Sequence, residues 1–361
     1  TVGSVGNVGT VKLASTLATS GSLNVAYGTL AIGATNAPGA STPVNISGSV
    51  LDLGVFDTTA GAVSLNGGSI VGSGTLSAAS YNLQSGTISG RIGGAGAFAK
   101  EGAGTVTFTG ANPYTGVMSV NAGTLVFNGN GSTAGSISLA NSSRVLFDSA
   151  TSQTVGGVLS GTSTASFQKS GTGTLTIASG AAGYTGATTI SGGTLVLGGL
   201  IGSSVIQNDA TLQLSLSTGG TFNGTIAGGT TILSALAPIT LTLGNTALLG
   251  GTVQIGSNVS LTLSSGAKFG GNVVLNGGTI NFGAANAFST ATASFTINTG
   301  VVNMGGYNQS VNTLTLNGGS LLSSGTTSFY YDNLAQVSTY VQSPQVTLAV
   351  NSKTYVPPGT Q

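Results

Sequence analysis

The stretch that decides the fold is Lys100–Phe127, KEGAGTVTFTGANPYTGVMSVNAGTLVF, because it returns at Lys169–Leu197 as KSGTGTLTIASGAAGYTGATTISGGTLVL. Tyr114 and Tyr184 stand at one place in the two copies, as do Gly116 and Gly186, and Leu125 and Leu195. A degenerate third copy occupies roughly 239–270, beginning ITLTLGNTALLGGTVQIGSNVSLTL. A shorter period lies inside the long one. Phe108, Phe127, Phe147 and Phe167 recur at close to 20 residues, each with an apolar or small residue two places before it (Val106, Leu125, Val145, Ala165). Residues two apart share one face of a strand. Between the strands lie corner signals such as Asn121-Ala122-Gly123, Ser191-Gly192-Gly193 and Asn276-Gly277-Gly278. Gly and Asn tolerate the left-handed backbone of a sharp corner. Short strands, tight corners and one apolar pair per 20 residues describe an all-β parallel solenoid, a β-helix with roughly 20 residues per coil. An antiparallel sandwich also gives short strands between turns, but not the same pair returning once per coil.

Working outward, the composition agrees. Glycine is 62 of 361 residues without a Gly-X-Y period, and charged residues are 4%. Helix-favouring Glu, Lys, Arg and Gln are scarce, while Val, Ile, Thr, Gly, Ser and Asn dominate. A hydrophobic content of 40% opposes disorder. The longest apolar stretch, Thr231–Leu243, is too short and too interrupted to span a bilayer as a helix. A net charge of +1 offers no basic face, so nucleic acid is excluded as a partner.

The organisation expected is a β-helix over 1–328, with repeat units near 100–168 and 169–238, each about three and a half coils. From Phe329 the Gly-Gly corners vanish and tyrosines gather, so 329–361 reads as a cap or assembly segment with Tyr330, Tyr331, Tyr340 and Tyr355 as its candidate contact residues.

The two long copies resemble the passenger-associated transport repeat of autotransporter passenger domains, approximately K-x-G-x-G-T-[LV]-T-[LF]-x-G-A-N-x-Y-T-G. Lys100, Gly102, Gly104, Thr105, Gly110, Ala111, Asn112, Tyr114, Thr115 and Gly116 fit it. The second copy keeps Lys169, Gly171, Gly173, Thr174, Tyr184, Thr185 and Gly186, with Gly180-Ala181-Ala182-Gly183 replacing the Gly-Ala-Asn run. The segment from Tyr81, YNLQSGTISGRIGGAG, is similar to haemagglutinin-type adhesin passengers. The resemblance implies a right-handed β-helix, export across a Gram-negative outer membrane and display at the cell surface.

A search for chemistry returns little. With no His and no Cys, imidazole and thiolate chemistry have no residues. The acids Asp52, Asp57, Glu101, Asp148, Asp209 and Asp332 are scattered, against the paired carboxylates of glycan-cleaving β-helices. Gly93-Gly94-Ala95-Gly96 lacks the acids of a calcium roll. No catalytic residue, metal or cofactor is therefore expected. Lys100 and Lys169 are expected in solvent before a corner, Tyr114 and Tyr184 over their own Gly-rich corners, and the four phenylalanines in one interior column. The function expected is an extracellular β-helical stalk, fibre or filament subunit, partnered with itself. Its rivals are a glycan-binding adhesin module, which would take surface glycans, and a polysaccharide-acting enzyme.

Overall fold

The computed structural model describes residues 2, 8–17, 21–203, 205–290, 292–338 and 340–350. All secondary structure there is strand, without a helix, and the strand pairings are parallel. Two compact units are formed by 1–196 with 201–203, and by 197–200 with 204–361.

In the first unit each coil presents three faces. The first carries Ala97–Lys100, Val117–Val120, Ser136–Leu139 and Leu159–Gly161, stacked in register. The second carries Thr105–Phe108, Thr124–Asn128, Arg144–Asp148, Ser166–Ser170 and Ala187–Ile190. The third is built from Ala111–Asn112, Ser132–Thr133, Gln153–Val155 and Thr174–Ile177. Thr105, Thr124, Arg144, Ser166 and Ala187 share one column, so these coils take 19 to 22 residues.

Alternation explains which side chains fill the centre. Thr124–Asn128 buries Leu125 and Phe127 and leaves Thr124 and Val126 half-buried, as the two-residue period requires. The corners need glycine at matched places. Gly123 and Gly193 have φ of 66° and 63°, and a Cβ on either would overlap the carbonyl of Gly104 or Gly173 in the coil below.

The second unit repeats the three-faced plan. Thr211–Leu216, Thr230–Ala235 and Thr252–Ile255 stack on one face. Ile239–Leu243, Val259–Leu263 and Thr279–Phe282 stack on another. Phe269, Phe288, Phe295 and Phe329 line its interior, with successive ring centroids 5.5, 5.5 and 5.8 Å apart.

Three expectations need correction. The repeat is not three and a half coils. Ala97–Lys100 lies on the first face but Ser166–Ser170 on the second, so the second copy comes three coils and one face later. Phe167 does not continue the phenylalanine column. Phe108, Phe127 and Phe147 are register partners, with centroids 5.5 and 4.8 Å apart and nearly parallel rings. Phe147 is then followed by Lys169, while Phe167 follows Val145 and meets Phe147 edge-on at 84°. Finally, the change of character at 328/329 is not a break in the helix. Strand Thr327–Val337 runs through it, pairs with Gln309–Leu316, and receives Val346–Val350 on its other edge. Tyr330, Tyr331 and Tyr340 are half-buried on these last coils, and Tyr355 lies outside the described residues.

Candidate functional site

The residues that distinguish the two long repeats assemble into one corner device, built twice. Its first member is the lysine, and here the structure overturns the sequence expectation. Lys100 and Lys169 are buried, with 0% and 1% of their surface exposed. Lys100 takes an inward place in a column otherwise made of Leu83, Val120 and Leu139. Its Nζ donates to the carbonyls of Glu101, Gly102 and Ala122 at 2.7, 2.8 and 3.0 Å. Lys169 Nζ donates likewise to Ser170, to Gly171 at 2.9 Å and to Gly192 at 3.2 Å. An ammonium has three donors, and three carbonyls face each one, so the count closes. Two carbonyls belong to the lysine's own corner and one to the next coil, so the side chain ties two coils together. Burial pulls both ammonium pKa values below the usual lysine value, opposed by Glu101 beside Lys100 and by Asp148 near Lys169.

The second member is tyrosine. Tyr114 and Tyr184 are buried, and each lays its hydroxyl against the glycine two residues on. A Cβ at Gly116 would overlap Tyr114 Oη, and one at Gly186 would stand 2.7 Å from Tyr184 Oη. Tyr114 Oη donates to Gly96 O at 2.6 Å, and Tyr184 Oη to Ala187 O at 2.7 Å, with Ala165 O 3.0 Å away. Burial pushes both phenols up. Gly104 and Gly173 are the close-approach points beneath the next corner, where a Cβ would meet Gln84 O at 2.8 Å or overlap Thr151 O.

The third member is a phenylalanine that the repeat pattern quoted above does not include. Phe98 and Phe167 stand two residues before their lysines, and their rings meet the repeat's tyrosine at 5.7 and 6.1 Å. The signal was available as Phe-x-Lys in both copies. Asn112 belongs to the first copy alone. Its Oδ1 accepts from Ile92 N at 3.0 Å, while Nδ2 donates to Gly110 O at 2.7 Å and Ser132 O at 3.3 Å, which links three coils. Tyr81, in the segment before the repeats, is a further buried phenol. It donates to Leu76 O at 2.7 Å and accepts from Ala78 N at 2.8 Å.

The carboxylates are each engaged locally. Asp52 and Asp57 accept from the backbone N–H of Gly54 and Thr75, both at 2.8 Å. Glu101 accepts from Asn121 at 2.6 Å and Asp148 from Ser170 at 3.0 Å. Asp209 and Asp332 accept from Gln207 and Asn312 at 2.7 and 3.4 Å. No group of three or more acids with metal-ligand spacing occurs among the described residues.

A three-faced parallel β-helix locked by a recurring Phe–Lys–Tyr corner defines a repeat-built solenoid. The family model of the passenger-associated-transport-repeat matches residues 98–127 and 167–197, so both matches begin at or beside the phenylalanine of the device. The chain is similar to the adhesin BmaC autotransporter of Brucella suis biovar 1 (strain 1330). Identity is 34% over 175 residues, covering 37% of this chain and 5% of that protein. No solved structure matches. The chain thus carries two passenger-associated transport repeats in a parallel β-helix, is similar over part of its length to an autotransporter adhesin, and spans a small fraction of the length of that curated relative.

Proposed function

We propose that this chain is a surface-displayed structural segment of an adhesin passenger of a Gram-negative bacterium, a β-helical shaft without catalytic activity. The observation that carries the reading is the corner device. It spends the repeats' lysines and tyrosines on holding coils together, so the residues most distinctive of the sequence are used internally. The absence of His and Cys and the local engagement of every carboxylate support a non-catalytic role. The test is display of the chain on a Gram-negative host cell through a heterologous autotransporter barrel. Surface labelling, a protease-resistant shaft and no cleavage of a polysaccharide panel are expected. A polysaccharide-cleaving activity lost on Asp52→Asn or Asp148→Asn would overturn the reading.

A finer reading is self-association, favoured by one observation. Leu334, Val337, Val341 and Val350 are 40, 49, 60 and 55% exposed and, like the half-buried Tyr330, Tyr331 and Tyr340, lie in the last described coils. Apolar and tyrosine-rich surface of this kind suits an interface. Light scattering should show mass rising with concentration, and Val341→Asp with Val350→Asp should abolish the rise. An intact chain that stays monomeric at high concentration rejects it.

A further inference from the structure

The third face of the first unit holds a concavity of about 450 Å³, lined among others by Arg91, Ala111, Pro113, Ser132, Ala134 and Thr154. It crosses four successive coils, those of Arg91–Gly93, Ala111–Asn112, Ser132–Thr133 and Gln153–Val155. At the strand spacing its length is about 14 Å. The volume lies in the range of small-ligand sites. Its walls are short because the outward places hold Ala111, Ala134 and Gly156. No acidic residue lines it.

Arg91 stands at one end of this trough, exposed, and its guanidinium has no hydrogen bond or ion pair among the described residues. Four other cations are occupied, and Lys12 is exposed but lies away from the trough. Lys100 and Lys169 are buried in their corners, Arg144 bonds Gln168, and Lys268 donates to Asn286 O at 2.6 Å. A free guanidinium beside an uncharged trough calls for a carboxylate, which it binds in a two-pronged geometry.

We propose that the Arg91 trough binds a short acidic oligosaccharide, a uronate-bearing chain laid along the helix axis with one carboxylate on Arg91. The rest of the trough fits sugar chemistry. Ala111, Pro113 and Ala134 offer apolar surface to the C–H faces of the rings. Thr154 offers a hydroxyl, and Ser132 Oγ, which accepts from Thr154 N at 3.2 Å, keeps its own proton to donate outward. An acidic peptide is a poorer occupant. The floor strands pair with the coils above and below, so the main-chain pairing that holds an extended peptide has nothing to pair with here. The proposal rests on the adhesin reading and gives that shaft a ligand class.

The experiment is calorimetric titration of the chain with tetragalacturonate, with its carboxyl-reduced neutral counterpart, and with tetraglutamate. Saturable binding of tetragalacturonate is expected, with at least tenfold weaker binding of the other two. Arg91→Gln should weaken it at least tenfold, and so should Ala134→Trp, which fills the trough. Ala111→Trp provides a second block should Ala134→Trp lose its fold by circular dichroism, and Lys12→Gln, an exposed cation elsewhere, should bind as the parent does. No saturable binding, binding indifferent to Arg91→Gln, or equal affinity for tetraglutamate would each overturn the proposal. A protease-resistant, displayed shaft that fails this titration still satisfies the structural reading, so the two fail separately.

Discussion

Lys100 shows at the scale of one residue how a charge comes to lie inside a β-helix. Alone, a buried ammonium is costly, and it persists because three carbonyls meet its three donors. Lys100→Met keeps the length of the stem but leaves those carbonyls without a donor. Hydrogen bonds to charged groups contribute more than neutral ones, so a loss of about 2–4 kcal/mol is expected in a denaturant titration. Lys100→Arg should not restore it, since a planar fork cannot point at two carbonyls of its own corner and one of the next coil together. The tyrosines act in the alkaline range. Burial raises the phenol pKa of Tyr81, Tyr114 and Tyr184. Above about pH 10 the unfolded chain loses these protons while the folded chain keeps them, so stability falls as pH rises. The lysines work the other way. Their lowered values make stability rise with pH, but only up to about 10.5, where the unfolded lysines also discharge. Unfolding measured above pH 10.5 therefore reads the tyrosines. Tyr184→Phe should flatten the fall by up to about 1.4 kcal/mol per pH unit. An unchanged slope would place the phenol in water.

Elements were largely legible in the sequence, and the reasons are visible in particular residues. Val106, Leu125 and Val145 with Phe108, Phe127 and Phe147 fall on two interior columns, because alternation and coil length were both written in the apolar pattern. Phe167 departs from the column expected of it because spacing alone cannot say which face a strand occupies once corner lengths vary. Its true partner in meaning is Phe98, two residues before a lysine, and that chemistry outweighs a 20-residue count. The lysines run against the general expectation that charge stays outside, though their phase in Phe-x-Lys puts them inward. The Arg91 trough was not legible at all, since it arises from small residues of four coils whose register only the fold supplies. Within the phenylalanine column, Phe127 lies between two nearly parallel rings. Phe127→Ala should cost about 3–5 kcal/mol by thermal or denaturant unfolding. A change below 1 kcal/mol would mean that the column is not packed as described.

For the molecule as a whole, the central claim is that one repeat serves two different faces of a three-sided coil, so that the second copy is the first moved on by three coils and one face. That claim explains why Lys100 lies under Val120 on one face while Lys169 lies between Phe147 and Ile190 on another, with the same three-carbonyl environment. The claim fixes a register that cross-linking reads directly, and the chain has no native cysteine to interfere. Leu146 and Gln168 are register partners on adjacent coils, whereas Ser166 partners Arg144. Neighbouring partners at the strand spacing fall within disulfide reach, and a two-residue offset carries the pair beyond it. Leu146→Cys with Gln168→Cys should close rapidly to an intrachain disulfide on mild oxidation, while Leu146→Cys with Ser166→Cys should stay reduced. Closure of the second pair in preference to the first would align Phe167 with Phe147 and contradict the rotated repeat.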